Sequence, residues 1–153
     1  MNTLISFLAQ YLFLVPPVVF IVVLVRLKAD KRAEILFLLI LSAVLTTLLV
    51  KLATTLHQDP RPFIRNGIKP LISSSTDNGF PSDHSAFSAL IAFVVMKYNR
   101  RVGLGLFIIA LLVGTARVLA GVHHTQDIIG GIVIAGVSVG ICLVGTQMIE
   151  RRA

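Results

Sequence analysis

The chain has 153 residues, 56% of them hydrophobic and only 14% charged, with a mean hydropathy of +0.89. That length suits one domain, and that composition excludes an ordinary soluble globule. The net charge of +7 sits between and after apolar runs, so it reads as membrane topology rather than nucleic-acid binding.

Residues 4–25 form the first apolar run, roughly 33 Å as a helix and long enough to cross hydrocarbon. Met1-Asn2-Thr3 carries no basic side chain, and no small-residue cleavage site precedes the charge that follows. The run therefore reads as a membrane helix rather than a signal peptide, with a kink expected at Pro16-Pro17. Residues 26–32 are a basic loop containing Arg26, Lys28, Lys31 and Arg32. Residues 35–56 form the second run, broken only by Lys51. Residues 57–80 are a polar, turn-rich connection. The third run, 84–98, gives only about 22 Å, too short to cross comfortably. His84 is thus expected just below one surface, where a headgroup could sit while its tail stays in the bilayer. Ser82 or Asp83 is expected to cap this helix. Runs 102–122 and 128–148 complete the set, with Glu150-Arg151-Arg152 behind them.

The expected fold is all-α, a polytopic membrane bundle of about five transmembrane helices in one domain over 1–153. Both basic loops and the basic tail fall on one side, assigned to the cytoplasm by the positive-inside rule. The N-terminus then lies outside and the C-terminus inside. The 57–80 connection, the 123–127 turn and all four histidines (His57, His84, His123, His124) face outward. The expected location is the cell membrane. Cys142 lies in an apolar run and, as the single cysteine, can form no internal disulfide. Gly136 and Gly140 make a small-xxx-small face, read first as tight packing within the bundle and second as a homodimer contact.

Charge near a bilayer is costly and usually functional. His123 and Asp127 are four apart, so on one helix face they can hydrogen-bond. A carboxylate on one imidazole nitrogen fixes the tautomer and makes the other nitrogen a better nucleophile. Arg117 cannot lose its charge and needs an anion; its fork suits phosphate oxygens. Arg61, stiffened between Pro60 and Pro62, is a second such fork. Ser82 and the first N–H groups of the third helix offer a further anion cradle. Each feature alone is weak, since an interfacial arginine usually snorkels and a lone histidine is usually structural. Together they place two arginines, two histidines and a carboxylate on one side.

Arg61-Pro62, Pro81-Ser82-x-His84 and Arg117-x5-His123-x3-Asp127 resemble the three signature motifs of the type 2 phosphatidic acid phosphatase superfamily. The resemblance covers about residues 51–131, the expected catalytic core. His57-x-x-Pro60-Arg61-Pro62-Phe63 and Phe80-Pro81-Ser82-Asp83-His84 look most like its undecaprenyl-diphosphatase branch. The resemblance implies a lipid phosphatase with His123 as nucleophile, Asp127 as its orienting carboxylate and His84 as acid and base. It implies Arg61, Arg117 and Ser82, with Lys51, as phosphate ligands. It implies a lipid phosphate substrate, no metal and no cofactor; nucleic acid is not expected as a partner. Three residues depart from the pattern. Thr54 stands where a lysine is usual, Ala116 where a serine is usual, and Asp83 where many members have glycine. The chain also has one span fewer than many relatives. Two other readings compete: a zinc hydrolase built on His84, His123, His124 and Asp127, and an anion-binding transport or structural bundle. Phosphatidic acid or phosphatidylglycerol phosphate is the alternative substrate.

Overall fold

Two prolines decide how the chain enters the bundle. The first apolar run is one path in two helices, α1 (Asn2–Tyr11) and α2 (Val15–Arg26), separated by a 3-10 turn at Leu12–Leu14. Pro16 and Pro17 have no N–H to give the carbonyls one turn back, so they fit only the first turn of a new helix. The break therefore falls one turn upstream of the expected kink. The computed structural model describes residues 1–150; the basic pair Arg151 and Arg152 of the expected tail lies outside the described residues.

The next helix, α3 (Ala29–Leu56), starts before its apolar run, with Asp30 in the first turn, where a carboxylate complements the helix dipole. After it come a single turn, α4 (Pro62–Arg65), then α5 (Asp83–Tyr98), α6 (Arg100–Leu119) and α7 (Thr125–Glu150). Four stretches are long and apolar enough to cross a membrane: Asn2–Arg26, Ala29–Leu56, Arg100–Leu119 and Thr125–Met148. This is a multi-pass membrane protein. Of the five expected spans, α5 fails the length test: its 16 residues rise about 24 Å against roughly 30 Å of hydrocarbon.

That short helix is the centre of the molecule. Ala89, Ile91, Ala92, Val94 and Val95 on α5 are all buried, and a helix apolar on every side belongs inside a bundle. It packs chiefly against α6 and α7, and also against α2 and α3. Phe20, Ile35, Leu38, Leu106, Ala135 and Val139 close the core around it. The outer helices leave Phe37, Ile40, Ile108 and Ile141 more than half exposed, an apolar belt that a bilayer would cover. Glycines allow the closest approaches. A Cβ on Gly131 would lie 2.6 Å from the Ser82 carbonyl oxygen, and one on Gly103 would collide with the Met96 backbone. Gly136 packs beside Phe93, whereas a Cβ on Gly140 would meet nothing within 4 Å.

Lys31 at the start of α3 and Lys97 at the end of α5 meet at one end of the bundle. There Glu34 accepts from Lys31 Nζ and Lys97 Nζ, both at 2.7 Å, tying the start of α3 to the end of α5. The 57–80 connection and the 123–127 turn gather at the other end.

Candidate active site

The connection after α3 is held by one amide. Asn78 Oδ1 accepts from the Asp59 N–H at 2.8 Å and the Phe80 N–H at 3.2 Å. Its Nδ2 donates to the Thr54 and His57 carbonyls at 3.0 and 2.7 Å, satisfying acceptors that the end of α3 leaves open. Gly79 then donates to the Asp59 carbonyl at 2.9 Å. A Cβ on Gly79 would lie 3.2 Å from Asp127 Oδ2 and 3.3 Å from the Arg61 stem. The connection is thus drawn onto the start of α7, and Arg61 is brought inside, only 8% exposed.

On the other side, α6 ends in a two-bond turn. Gly121 donates to the Val118 carbonyl at 2.9 Å and Val122 to the Arg117 carbonyl at 3.2 Å, with Gly121 at φ +76°. This left-handed closure suits glycine and turns the chain back toward the core. Val122 is buried by that reversal, and His123 follows it inward at 3% exposure.

His123 and Asp127 pair, but not along one helix face as expected: α7 begins at Thr125, so His123 meets Asp127 from the turn before the helix. His123 Nδ1 lies 3.1 Å from Asp127 Oδ2, and the same oxygen accepts from the His124 N–H at 2.8 Å. Asp127 is fully buried, and its Oδ1 has no partner. With Nδ1–H donating to the carboxylate, Nε2 is left as a bare acceptor. Arg61 Nη1 stands 3.3 Å from that nitrogen and also donates to the Val122 carbonyl at 3.2 Å. Burial, seconded by the charges of Arg117 and Arg61, holds the His123 imidazole below its ordinary pKa of 6.5 against the pull of Asp127.

Arg61, Arg117, His84 and His123 line one cleft of about 1020 Å³. His84 meets the ring of Phe13 edge-on, with centroids 4.6 Å apart. Arg117, 7% exposed, donates from Nη1 to the Ala9 carbonyl at 3.2 Å, while its buried Nε has no partner. Lys51, Thr54 and Asp83 also line the cleft. Away from the charges the cleft runs between Ala43, Thr47 and Val50 of α3 and Phe87 and Leu90 of α5.

Ser82 is placed differently. It is the N-cap of α5, but its hydroxyl makes no capping bond, is fully buried and does not border the cleft. Its N–H donates to the Asp127 carbonyl at 3.0 Å, which joins α5 to the histidine turn. His57 stacks edge-on against Phe80, centroids 4.8 Å apart. A cluster of possible metal donors exists, but it is Asp59, His124 and Asp127, whose donor atoms lie within 4.8 Å of one another. It differs from the four residues of the zinc reading, and Asp127 Oδ2 and Asp59 Oδ2 are already engaged. Gln126 Nε2 donates to Asp59 Oδ2 at 2.6 Å. His124 Nδ1 lies 3.1 Å from that oxygen, close enough for an ion pair but out of line for a hydrogen bond.

The model of the PAP2 superfamily matches residues 33–151. The chain belongs to the PAP2 superfamily. The undecaprenyl-diphosphatase BcrC of Bacillus subtilis is 36% identical over 84 residues, 55% of this chain and 44% of that protein, so the chain spans less than half of that relative. The crystal structure of Aquifex aeolicus LpxE superposes with a TM-score of 0.70 and 29% identity, over 93% of this chain and 82% of that one. A transmembrane PAP2 type phosphatidylglycerolphosphate phosphatase from Bacillus subtilis superposes at 0.61 with 25% identity, over 98% and 77%.

In this PAP2 chain the structure adds residues that pattern reading missed. Asp77 Oδ1 accepts from Arg61 Nη2 at 2.8 Å and Nε at 3.2 Å, and from the Ser75 hydroxyl at 2.5 Å. Asn78, Asp59 and Gln126 form the frame behind the histidine turn. All but Gln126 lie in or beside a stretch rich in turn residues, where composition announces a loop but not what the loop holds.

Proposed function

We propose that this protein is a metal-independent lipid phosphate phosphatase of the outer face of the cell membrane, removing the terminal phosphate of undecaprenyl diphosphate. One observation carries the reading. His123 is tied through Nδ1 to Asp127 and presents Nε2 toward a cleft that it shares with Arg61, Arg117 and His84. Two guanidinium groups in one cleft disfavour a metal cation and favour a phosphate. The unpaired Arg117 Nε is a buried donor that an anion would satisfy. The likeness to BcrC supports the diphosphate substrate, and the basic opposite end supports the outward face.

In this mechanism His123 Nε2 attacks the terminal phosphorus, and the bond to the bridging oxygen breaks. His84 gives its proton to that oxygen, which leaves on the lipid monophosphate. Substrate charge favours the protonated form of His84 beside the two arginines. A water then attacks the phosphohistidine, His84 takes its proton, and orthophosphate leaves with His123 restored. Arg61 and Arg117, with Lys51 from the cleft lining, hold the equatorial oxygens. The apolar arm between α3 and α5 takes the first part of the tail. Phosphatidylglycerol phosphate is the second reading, favoured by the likeness to the solved phosphatase of that name.

Phosphate release from undecaprenyl diphosphate and from diacylglycerol phosphates, in detergent with chelator, tests this. The expected result is release that survives chelation and is fastest with the diphosphate. Loss on chelation would overturn the metal-independent mechanism, and preference for a diacylglycerol phosphate would overturn the substrate.

A further inference from the structure

Every nitrogen of Arg61 has a partner, and those partners are not the ones that turnover needs. Its Nε and Nη2 edge, the side that would grip a phosphate, is closed on Asp77 Oδ1 at 3.2 and 2.8 Å. Ser75 Oγ donates to the same carboxylate oxygen and lies 3.4 Å from Arg61 Nη2. The remaining nitrogen, Nη1, stands 3.3 Å from His123 Nε2, over the lone pair that must attack phosphorus. A lone pair that accepts a hydrogen bond from a guanidinium is not free to bond elsewhere. The carboxylate that holds Arg61 belongs to an otherwise exposed side chain, 68% exposed, on the 57–80 connection.

We propose that Asp77 is a positioning residue acting through Arg61: its carboxylate stands in for the phosphate, holding Arg61 against the nucleophile until a substrate phosphate displaces it. The inference rests on the phosphatase reading of the same site. Both anions compete for one edge of one guanidinium. A phosphate wins because it brings more charge and also meets Arg117. When it seats, Nε and Nη2 of Arg61 transfer to phosphate oxygens, and Nη1 follows them off His123 Nε2. Asp77 and Ser75 swing out with their loop. The site therefore exposes its nucleophile only to a ligand able to claim the arginine, and water or an uncharged lipid cannot. Asp77 also lowers phosphate affinity, which favours release of orthophosphate at the end of the cycle.

The test uses Asp77→Asn in the full-length protein, with inorganic phosphate as the probe in two measurements. One is direct calorimetric binding, which needs no turnover; the other is inhibition of phosphate release from the lipid substrate. The variant is expected to bind inorganic phosphate about two- to five-fold more tightly, the range of a half-exposed ion pair. KM should fall by a similar factor, with kcat unchanged or lower as product leaves more slowly. Ser75→Ala should shift both in the same direction by less, and Asp77→Glu should restore wild-type values. Unchanged or weaker phosphate binding by Asp77→Asn overturns the proposal, because Asp77 would then be neutral or would hold Arg61 in its working position. Phosphate that binds as expected to a protein releasing none from any lipid would sink the phosphatase reading and leave the competition between Asp77 and phosphate standing.

Discussion

At one end of the bundle Glu34 bridges Lys31 and Lys97 with all three side chains in reach of water. At the other, Arg61, Arg117, His123 and Asp127 are each less than 9% exposed. Both ends contain ion pairs of similar length, but they cost the chain very different amounts. Exposed pairs lose little hydration and return little stability. Buried charges lose most of theirs, and Arg117 Nε and Asp127 Oδ1 are left without any partner. A fold keeps groups in that condition where they work, so the contrast between the two ends separates topology from chemistry.

The contrast breaks first at His123. His123→Ala should lower phosphate release by about a thousandfold or more, since it removes the proposed nucleophile, while thermal unfolding shifts little. Retained activity would remove the nucleophile from the account. Arg61→Lys keeps the charge but loses the fork; a fall of about a hundredfold in kcat/KM is expected, measured by the same release assay. Gly121→Ala sharpens the comparison differently. It forces a side chain into the left-handed turn that delivers His123, costing about 1–2 kcal/mol in denaturant unfolding together with a loss of activity. At the basic end, Glu34→Gln should cost less than about 1 kcal/mol and leave phosphate release unchanged.

The pH dependences are smaller still and have definite signs. His123 is held below 6.5, so it stays neutral and nucleophilic at pH 7. The acid limb of kcat/KM should fall below pH 6.5, and an acid limb centred above pH 7 would contradict that. Hydrogen bonding from Ser75, then from Arg61, holds the Asp77 carboxyl below its ordinary 3.8. Its contribution to stability is therefore present above that value and lost as pH falls through the lowered one. The difference in melting temperature between wild type and Asp77→Asn should vanish in strong acid.

Much of this was legible in the sequence because hydropathy and residue spacing are local properties. The runs gave the helices, the third run showed a helix too short to cross comfortably though not its place at the centre, and the four-residue step marked His123 and Asp127 as partners. The break before Pro16 was misplaced by a turn because proline acts on the carbonyls behind it. Ser82 was read as a phosphate ligand and helix cap, yet its hydroxyl is buried beneath the start of α5, caps nothing and does not border the cleft. Asp77, Asn78, Asp59 and Gln126 stayed hidden for another reason. Asp77 and Asn78 meet partners 16 to 24 residues away across an irregular connection, and Asp59 and Gln126 are 67 residues apart; no period or turn signal encodes those meetings.

The most direct measurement traps the covalent step. Purified His84→Ala protein, mixed with an aryl phosphate whose leaving group needs no proton and quenched in alkali, should accumulate a phosphoryl group, because the first step then proceeds without His84 while water is no longer activated. Peptide mass spectrometry should place that group on His123, and His123→Ala in the same background should carry none. A phosphoryl group on another residue, or turnover by the double variant at the rate of His84→Ala alone, would contradict the account.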